Sequence, residues 1–338
     1  MNTPILDIRD LRVTFPTDDG LVQAVNGMDL IVQRGETVGI VGESGSGKTV
    51  TSQTLMGLMK GTSARVSGQI LFEGTDLVPL SESEMRPYRG RKIGMIFQDP
   101  LSAMHPFYTV GRQIAEAYRV HNRVSAKAAK AQAIEMLNRV GIPDPVSRYD
   151  AYPHEFSGGM RQRAMIAMAL ICEPELLIAD EPTTALDVTV QAQILDLISS
   201  LQAETGSAVI FVTHDLGVVA EVCQRVVVMY GGQCVEEADV HDAFFQTAHP
   251  YTKGLLASMP SMADETGRLI PIPGFPPSLL DLPGGCLFAD RCPVSHLVPD
   301  DRCRTERPSL SGSGSHRARC HLTEGGIPRA AALQDVVR

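Results

Sequence analysis

One stretch of the chain has residue types and spacing that suit phosphate chemistry. It reads Gly-Glu-Ser-Gly-Ser-Gly-Lys-Thr and lies between an apolar run, 37–41, that predicts a strand and a proline-free segment, 50–59, that predicts a helix. Glycines let successive backbone N–H groups face a phosphate, and a helix N-terminus adds partial positive charge. The predicted phosphate-binding residues are Gly42, Glu43, Ser44, Gly45, Ser46, Gly47, Lys48 and Thr49. A glycine-rich turn with an incidental lysine is the alternative interpretation.

Charged and polar side chains with matching chemistry follow three further apolar runs. Lys48 is expected to reach the β- and γ-phosphates of a nucleotide, and the Thr49 hydroxyl to bind Mg²⁺. Asp180 and Glu181 end the run 176–181, where Asp180 suits Mg²⁺ and Glu181 could polarise a water molecule. Two acids in a solvated turn are the alternative, which the phosphate loop in the same chain makes weaker. Gln98 follows the run 92–97, and His214 follows the run 208–212. A lone histidine there is usually structural, but open α/β sheets bind ligands at this end of their strands.

Two other features suit a nucleotide. Ser157, Gly158 and Gly159 open an apolar helix, so they predict a second anion-binding helix N-terminus. Phe15 is the one aromatic residue before the phosphate loop and could stack on adenine, although a phenylalanine at a strand end more often belongs to the core.

The elements that must position these residues give an α/β pattern. Alternating residues 5–15 and the run 21–33 predict strands of an antiparallel layer ahead of the phosphate loop. Short apolar runs predict buried strands, and 109–140 is largely helical by its pattern. Residues 258–285 carry six prolines and predict a linker or an extended wrap.

Composition narrows the classes of function. The 338 residues carry a formal net charge of −9 without a long basic block, which argues against nucleic acid as the main partner. Apolar stretches are too short to span a bilayer, and the N-terminus lacks the pattern of a secretion signal. A cytoplasmic protein is expected, which could act at a membrane only by docking on a protein that spans it.

Four of the seven cysteines lie in the last fifth of the chain. Cys286, Cys292, Cys303 and Cys320 have the spacing C-x₅-C-x₁₀-C-x₁₆-C in loop-rich sequence that cannot build a core of its own. Four thiolates suit Zn²⁺ or an iron–sulfur cluster. The absence of a tight cysteine pair and the proline after Cys292 favour a [4Fe–4S] cluster, with zinc or unligated cysteines as alternatives.

Together these motifs resemble the ABC-type ATPases. Gly42 to Thr49, Gln98, Ser157 to Gly159, Asp180 with Glu181, Asp187 and His214 stand in the order of the Walker A, Q-loop, signature, Walker B, D-loop and H-switch of that family. The departure is Met160, where the family signature ends in glutamine. The segments 152–155, 249–252 and 273–277, with Arg291-Cys292-Pro293, resemble the ATP-binding subunits of bacterial dipeptide and oligopeptide importers.

The resemblance implies a P-loop ATPase with a RecA-like core, an antiparallel β layer, a helical subdomain and a small Cys-rich C-terminal region. It implies an ATPase domain over 1–257 (helical subdomain about 99–165), a Pro-rich linker over 258–285 and a Cys-rich region over 286–338 with a mobile tail. It also associates the four C-terminal cysteines with a cluster.

The expected activity is ATP hydrolysis that powers peptide uptake, with ATP and Mg²⁺ at the site. Glu181, His214 and Gln98 are the expected catalytic residues, and Thr49, Gln98 and Asp180 the expected Mg²⁺ ligands. Two such subunits would sandwich ATP head to tail, with Ser157, Gly158, Gly159 and Asp187 completing the nucleotide site.

The expected partners are a second, paralogous ATP-binding subunit, two transmembrane permease subunits and, indirectly, a solute-binding protein. This places the chain peripherally on the cytoplasmic face of the inner membrane. Import of nickel, glutathione or another solute is the alternative. A non-transport ABC ATPase is disfavoured because residues 99–156 hold no long coiled coil and the chain has one Walker A motif.

Overall fold

The computed structural model describes residues 3–184, 186–259 and 271–323. The strands are β1 (Leu6–Thr17), β2 (Gly20–Val32), β3 (Thr37–Val41), β4 (Arg65–Phe72), β5 (Thr75–Asp76), β6 (Ile93–Ile96), β7 (Leu176–Asp180), β8 (Ala208–Thr213), β9 (Arg225–Tyr230), β10 (Gln233–Asp239), β11 (Ser311–Ser313) and β12 (His316–Ala318). The α-helices are α1 (Lys48–Leu55), α2 (Glu82–Met85), α3 (Pro100–Ala103), α4 (Val110–His121), α5 (Ala126–Arg139), α6 (Pro145–Arg148), α7 (Gly158–Leu170), α8 (Val188–Thr205), α9 (Leu216–Val222), α10 (Val240–Phe245), α11 (Pro250–Ala257) and α12 (Arg302–Thr305).

The chain divides into two compact units that interleave along the sequence. The first unit comprises Met1–Ile5, Val32–Glu36 and Leu80–Phe211. The second unit comprises Leu6–Ile31, Thr37–Pro79 and Val212–Arg338. The phosphate loop and the C-terminal cysteines therefore belong to the same unit.

The second unit contains the predicted antiparallel layer. Its strands follow the order β2-β1-β4-β5, and β1 pairs antiparallel with β4 from Leu6 opposite Phe72 to Thr14 opposite Arg65. A second sheet runs β11-β12-β10-β9-β3, in which β3 pairs parallel with β9. Every residue of β3 is buried, as the apolar run before the phosphate loop predicts.

The first unit holds the strands that carry the predicted acids. Here β8, β7 and β6 lie side by side, and β6 pairs parallel with β7 from Ile93 opposite Leu176 to Ile96 opposite Ala179. All residues of β7 are buried, which confirms the prediction of a buried parallel strand that ends at the acids.

The helical segment predicted over 109–140 consists of two helices. Helix α4 ends at His121, and the Ser125 hydroxyl caps α5 by accepting the N–H of Ala128. The two helices agree with the prediction of a largely helical segment, which did not locate the break between them. Within the described residues, we find no helix that combines the length and apolarity needed to cross a bilayer.

The C-terminal segment packs into the core of the second unit. Residues 271–285 contain neither helix nor strand, in keeping with an extended wrap, and the Gln23 N–H donates to the Leu279 carbonyl (2.8 Å). Leu287 and Phe288 are buried in one cluster with Tyr251 and other core residues. A Cys-rich region with a fold of its own is therefore not supported. The domain boundaries stay predictions, and both part of the linker, 260–270, and the predicted mobile tail, 324–338, lie outside the described residues.

A buried carboxylate joins the C-terminal segment to β10. Glu236 is fully buried and accepts the N–H groups of Ala248 (2.7 Å) and His249 (3.0 Å) and a hydrogen bond from His316 (2.8 Å). His249 in turn caps α11, because its Nδ1 accepts the Tyr251 N–H (3.1 Å). Burial lowers the pKa of His249 to about 4.

The buried His249 should make stability depend on pH. The folded-state pKa lies below the ordinary value of 6.5, so the unfolded chain takes up a proton that the folded chain excludes as the pH falls from 6.5 to about 4. At pH 5 this should cost about 2 kcal/mol of unfolding free energy. His249→Asn keeps a capping acceptor without a titrating ring. Urea unfolding at pH 7.5 and pH 5 should show that the variant loses about 2 kcal/mol less than the parent. An equal loss in both proteins would contradict the assignment.

Candidate functional site: the phosphate loop and its carboxylates

The phosphate loop lies between β3 and α1, as its flanking pattern predicts. Gly42 has φ +155°, and a Cβ there would overlap the Met229 carbonyl oxygen of β9. Gly47 caps α1 with φ +101°, and a Cβ there would lie 2.5 Å from the Ala24 carbonyl oxygen of β2. Neither position accepts a side chain, so the motif's glycines let the loop pack directly on the neighbouring backbone.

Two side chains of the loop are arranged for an anionic ligand. The Lys48 ammonium is buried and donates to the carbonyls of Gly42 (2.7 Å) and Glu43 (3.1 Å). The buried Ser46 hydroxyl has no hydrogen-bond partner among the described residues. A buried polar group without a partner is costly, and a phosphate oxygen would satisfy it. The loop therefore fits a phosphate, and the exposed Ser44 and Gly45 leave it open to solvent.

Glu43, a loop residue predicted to bind nucleotide, is held by the C-terminal part of the chain. Its backbone N–H donates to the Tyr251 hydroxyl (2.9 Å). Its carboxylate accepts two hydrogen bonds from the Arg291 guanidinium, at 2.7 and 3.0 Å. Sequence reasoning missed both partners, which lie more than 200 positions away. The motifs that contain Tyr251 and Arg291 carry the resemblance to peptide importers, and a resemblance gives no information on side-chain contacts.

In the first unit, Gln98 and Glu181 come together. The Gln98 amide donates to a Glu181 carboxylate oxygen (3.0 Å), and the Thr184 hydroxyl donates to the same oxygen (2.8 Å). Glu181 adopts φ +48°, a conformation that residues with a side chain rarely use and that often marks a functional site. Asp180, one residue earlier at the end of β7, is 2% exposed. Asp180 is thus buried, and the Glu181 carboxylate is oriented by two hydrogen-bond donors.

The predicted signature residues form an exposed helix N-terminus. Ser157 caps α7 by accepting the Met160 N–H (3.3 Å), and a Cβ on Gly158 would meet no atom within 4 Å. Asp187 caps α8 by accepting the Val190 N–H (3.0 Å). This capping role is structural, and a role at a nucleotide remains a prediction.

The two remaining residues of the predicted nucleotide site lie in the second unit. His214 is exposed directly after β8, and Phe15 is half-buried near the end of β1. The strand-end positions agree with the sequence pattern, whereas contact with a nucleotide remains a prediction for both.

The predicted Mg²⁺ ligands have suitable chemistry. Thr49 offers a hydroxyl, Asp180 a carboxylate and Gln98 an amide oxygen, and hard cations such as Mg²⁺ prefer oxygen ligands. Thr49 belongs to the second unit and the other two residues to the first. Each of the three residues therefore has an oxygen donor that suits Mg²⁺, and their joint role as ligands remains a prediction.

The four C-terminal cysteines line one small cavity in the second unit, together with apolar residues such as Phe288. Burial raises the pKa of each thiol, to about 12 for Cys292 and Cys320. Among the described residues, however, no three His, Cys, Asp or Glu side chains are arranged to hold a metal ion. The expected [4Fe–4S] cluster and its zinc alternative are therefore not supported by this arrangement.

Known proteins resemble this chain over nearly its full length. Residues 25–184 match the ABC transporter family, and residues 235–297 match the C-terminal region of oligopeptide/dipeptide transporters. The dipeptide transport ATP-binding protein DppD of Bacillus subtilis is 53% identical and covers 98% of both chains. The oligopeptide transport ATP-binding protein OppD of the same organism is 50% identical, covering 97% of this chain and 91% of the relative.

Among solved structures, a dimeric ATP-binding cassette, MJ0796, bound to ADP and phosphate after hydrolysis, has a TM-score of 0.63 at 27% identity. It covers 70% of this chain and 98% of its own. The phosphate loop, the oriented carboxylate and these similarities agree with the resemblance found in the sequence. The chain is an ATPase of the ABC transporter family and belongs to its group of dipeptide and oligopeptide transporter ATP-binding proteins.

Proposed function

We propose that this chain binds and hydrolyses ATP to power uptake of dipeptides or oligopeptides through a membrane importer. The observation that carries the proposal is the match of residues 235–297 to the C-terminal region of peptide transporters, in a chain that also has a complete phosphate loop. Relatives of 53% and 50% identity are named for dipeptide and oligopeptide transport, which supports the same solute class.

Each site residue has a proposed role in hydrolysis. Lys48 and the loop N–H groups hold the phosphates, Thr49, Asp180 and Gln98 ligate Mg²⁺, and Phe15 stacks on adenine. Glu181 orients and deprotonates the attacking water, and its hydrogen bond from Gln98 holds the carboxylate in place. His214 contacts the γ-phosphate.

The nucleotide site is proposed to be completed by a second ATP-binding subunit. The N-terminus of α7 at Ser157 is exposed, so it is accessible to a nucleotide that is bound to another subunit. The similar cassette MJ0796 is a dimer. Asp187 would lie at the same interface. We propose that this partner is a paralogue, and that the pair docks on two permease subunits at the cytoplasmic face of the inner membrane, with a solute-binding protein delivering the solute. The proposed domain organisation remains 1–257, 258–285 and 286–338.

Peptide uptake by the assembled transporter tests this function. Proteoliposomes that contain the permease subunits and both ATP-binding subunits should accumulate a labelled tripeptide only with ATP. Glu181→Gln should keep nucleotide binding but lower hydrolysis and uptake at least about a hundredfold, because the water loses its base. Exposed Glu221→Gln is the matched control and should leave both rates unchanged.

Near-normal hydrolysis by Glu181→Gln would contradict the role of this carboxylate. ATP-dependent uptake of nickel or glutathione, without uptake of peptides, would favour the alternative solute class. Hydrolysis that neither permeases nor solute stimulate would favour a non-transport ATPase.

The proposal that two subunits share each nucleotide site gives a second prediction. Ser157→Arg places a bulky cation at the exposed start of α7, so it should block hydrolysis at the partner's nucleotide while this chain still binds ATP. Photo-labelling of each subunit with an azido-ATP checks this, with Ser147→Arg on α6 as the control. Loss of labelling in this chain itself would contradict the role across the interface.

We also propose that Cys286, Cys292, Cys303 and Cys320 hold a [4Fe–4S] cluster that fastens the C-terminal segment. The support is that all four thiols line one cavity, and four cysteines are the usual ligand set of such clusters. Because no three of the described side chains are arranged to hold a metal ion, binding would have to draw the thiols together. Zinc is the alternative ligand for the same four thiols.

Metal analysis tests the cysteine proposal. Protein purified without oxygen should contain about four irons per chain and absorb broadly near about 400 nm. Cys303→Ser should lose the iron, whereas Cys172→Ser, outside the cavity, should keep it. Stoichiometric zinc without iron would contradict the cluster and favour the zinc alternative. Protein without any metal would contradict both.

A further inference from the structure

The phosphate loop carries a negative charge of its own. Glu43 is the residue after Gly42, and its carboxylate is 28% exposed, in the loop that must receive a polyanionic triphosphate. Like charges repel strongly in such a partly buried site, so an unpaired carboxylate here would weaken nucleotide binding. The Glu43 carboxylate therefore needs a cation of the protein beside it, in addition to Lys48.

Arg291 supplies this cation through a fork of two hydrogen bonds to the Glu43 carboxylate. Its other contacts fix the guanidinium in place: it donates to the Pro273 carbonyl (2.8 Å), the Tyr230 hydroxyl (3.2 Å) and the Ile272 carbonyl (3.3 Å). The Arg291 side chain is only 6% exposed. A planar, fully bonded guanidinium of this kind fixes both the charge and the direction of its partner.

The segment that carries Arg291 is itself anchored. Arg291 ends the short 3₁₀ helix Ala289–Arg291, and the preceding Phe288 packs against the rings of Tyr230 (5.3 Å between centroids) and Tyr251 (5.4 Å). Tyr251 also accepts the Glu43 N–H. The loop is thus held at one residue through both its backbone and its side chain, by the C-terminal part of the chain.

We propose that Arg291 is a positioning residue for ATP binding, which neutralises the Glu43 carboxylate and sets the phosphate loop. The C-terminal segment that marks peptide transporters is then also a part of the nucleotide site. This inference goes beyond the proposed uptake function and depends on neither the solute nor the metal at the cysteines.

A double-mutant cycle on the full chain tests the proposal. The probe is a fluorescent ATP analogue with Mg²⁺, and its dissociation constant is measured for the parent, Arg291→Met, Glu43→Gln and the double variant. Arg291→Met should weaken binding about tenfold, because it leaves an unpaired carboxylate in the loop. In the Glu43→Gln background the same substitution should change the constant by less than about twofold. Arg304→Met is the matched control and should bind like the parent, since Arg304 is exposed and its ion pair with Asp301, at 3.8 Å, is exposed too.

Arg291→Met and the double variant lose the same packing contacts of Arg291. If the double variant nevertheless binds the ATP analogue normally, the loss in Arg291→Met comes from the unpaired Glu43 charge and not from packing. A tenfold loss that persists in the double variant, or parent-like binding by Arg291→Met, would overturn the proposal. Thermal unfolding is recorded for each protein. If Arg291→Met does not fold, Arg291→Gln completes the same cycle, because it removes the positive charge but keeps polar donors for the neighbouring carbonyl groups. Peptide uptake is not measured, so failure of the uptake function leaves this test intact.

Discussion

Two backbone carbonyl oxygens, one from β9 and one from β2, pack directly against the phosphate loop. The rest of the site depends on this close packing. The Met229 and Ala24 carbonyls leave no space for a Cβ at Gly42 and Gly47. The loop is consequently packed against β9 and β2, with the Lys48 ammonium bound to the Gly42 carbonyl and the Ser46 hydroxyl buried without a partner among the described residues. Its shape is set by backbone sterics, whereas the charge of its Glu43 is balanced by a residue from elsewhere in the chain.

That charge balance joins two parts of the molecule that the sequence separates widely. Glu43 lies in the loop and Arg291 lies 248 positions later, yet both belong to the same compact unit. The Glu236 network with His249 and His316 binds the same C-terminal part to β10 through buried hydrogen bonds. We infer that this part of the chain supports the nucleotide site through specific polar contacts, as well as through its buried apolar residues.

Local patterns predicted the fold well because they report local physics. Strands β3 and β7 were identified from their apolar runs, and the loop from its glycines and lysine, all of which act within a few residues. Gln98 and Glu181 were each predicted from the apolar run before them, whereas the hydrogen bond that joins them was not predicted.

Contacts without local periodicity could not be predicted. No period or spacing connects Glu43 to Tyr251 or Arg291, because tertiary packing alone brings them together. The four cysteines show the converse. The sequence predicted one shared ligand site, and the thiols do line one cavity, but no three side chains among the described residues are arranged to hold a metal ion. Only side-chain geometry could reveal that difference.

Amide hydrogen exchange of the full chain, with and without Mg-ATP, tests most directly that the C-terminal segment belongs to the nucleotide site. Opening of the loop must break the contacts of Glu43 with Tyr251 and Arg291, so both segments should respond together to nucleotide. ATP should slow amide exchange in residues 42–49 and also in residues 286–292. Protection of the loop with unchanged exchange in 286–292 would contradict this role of the C-terminal segment.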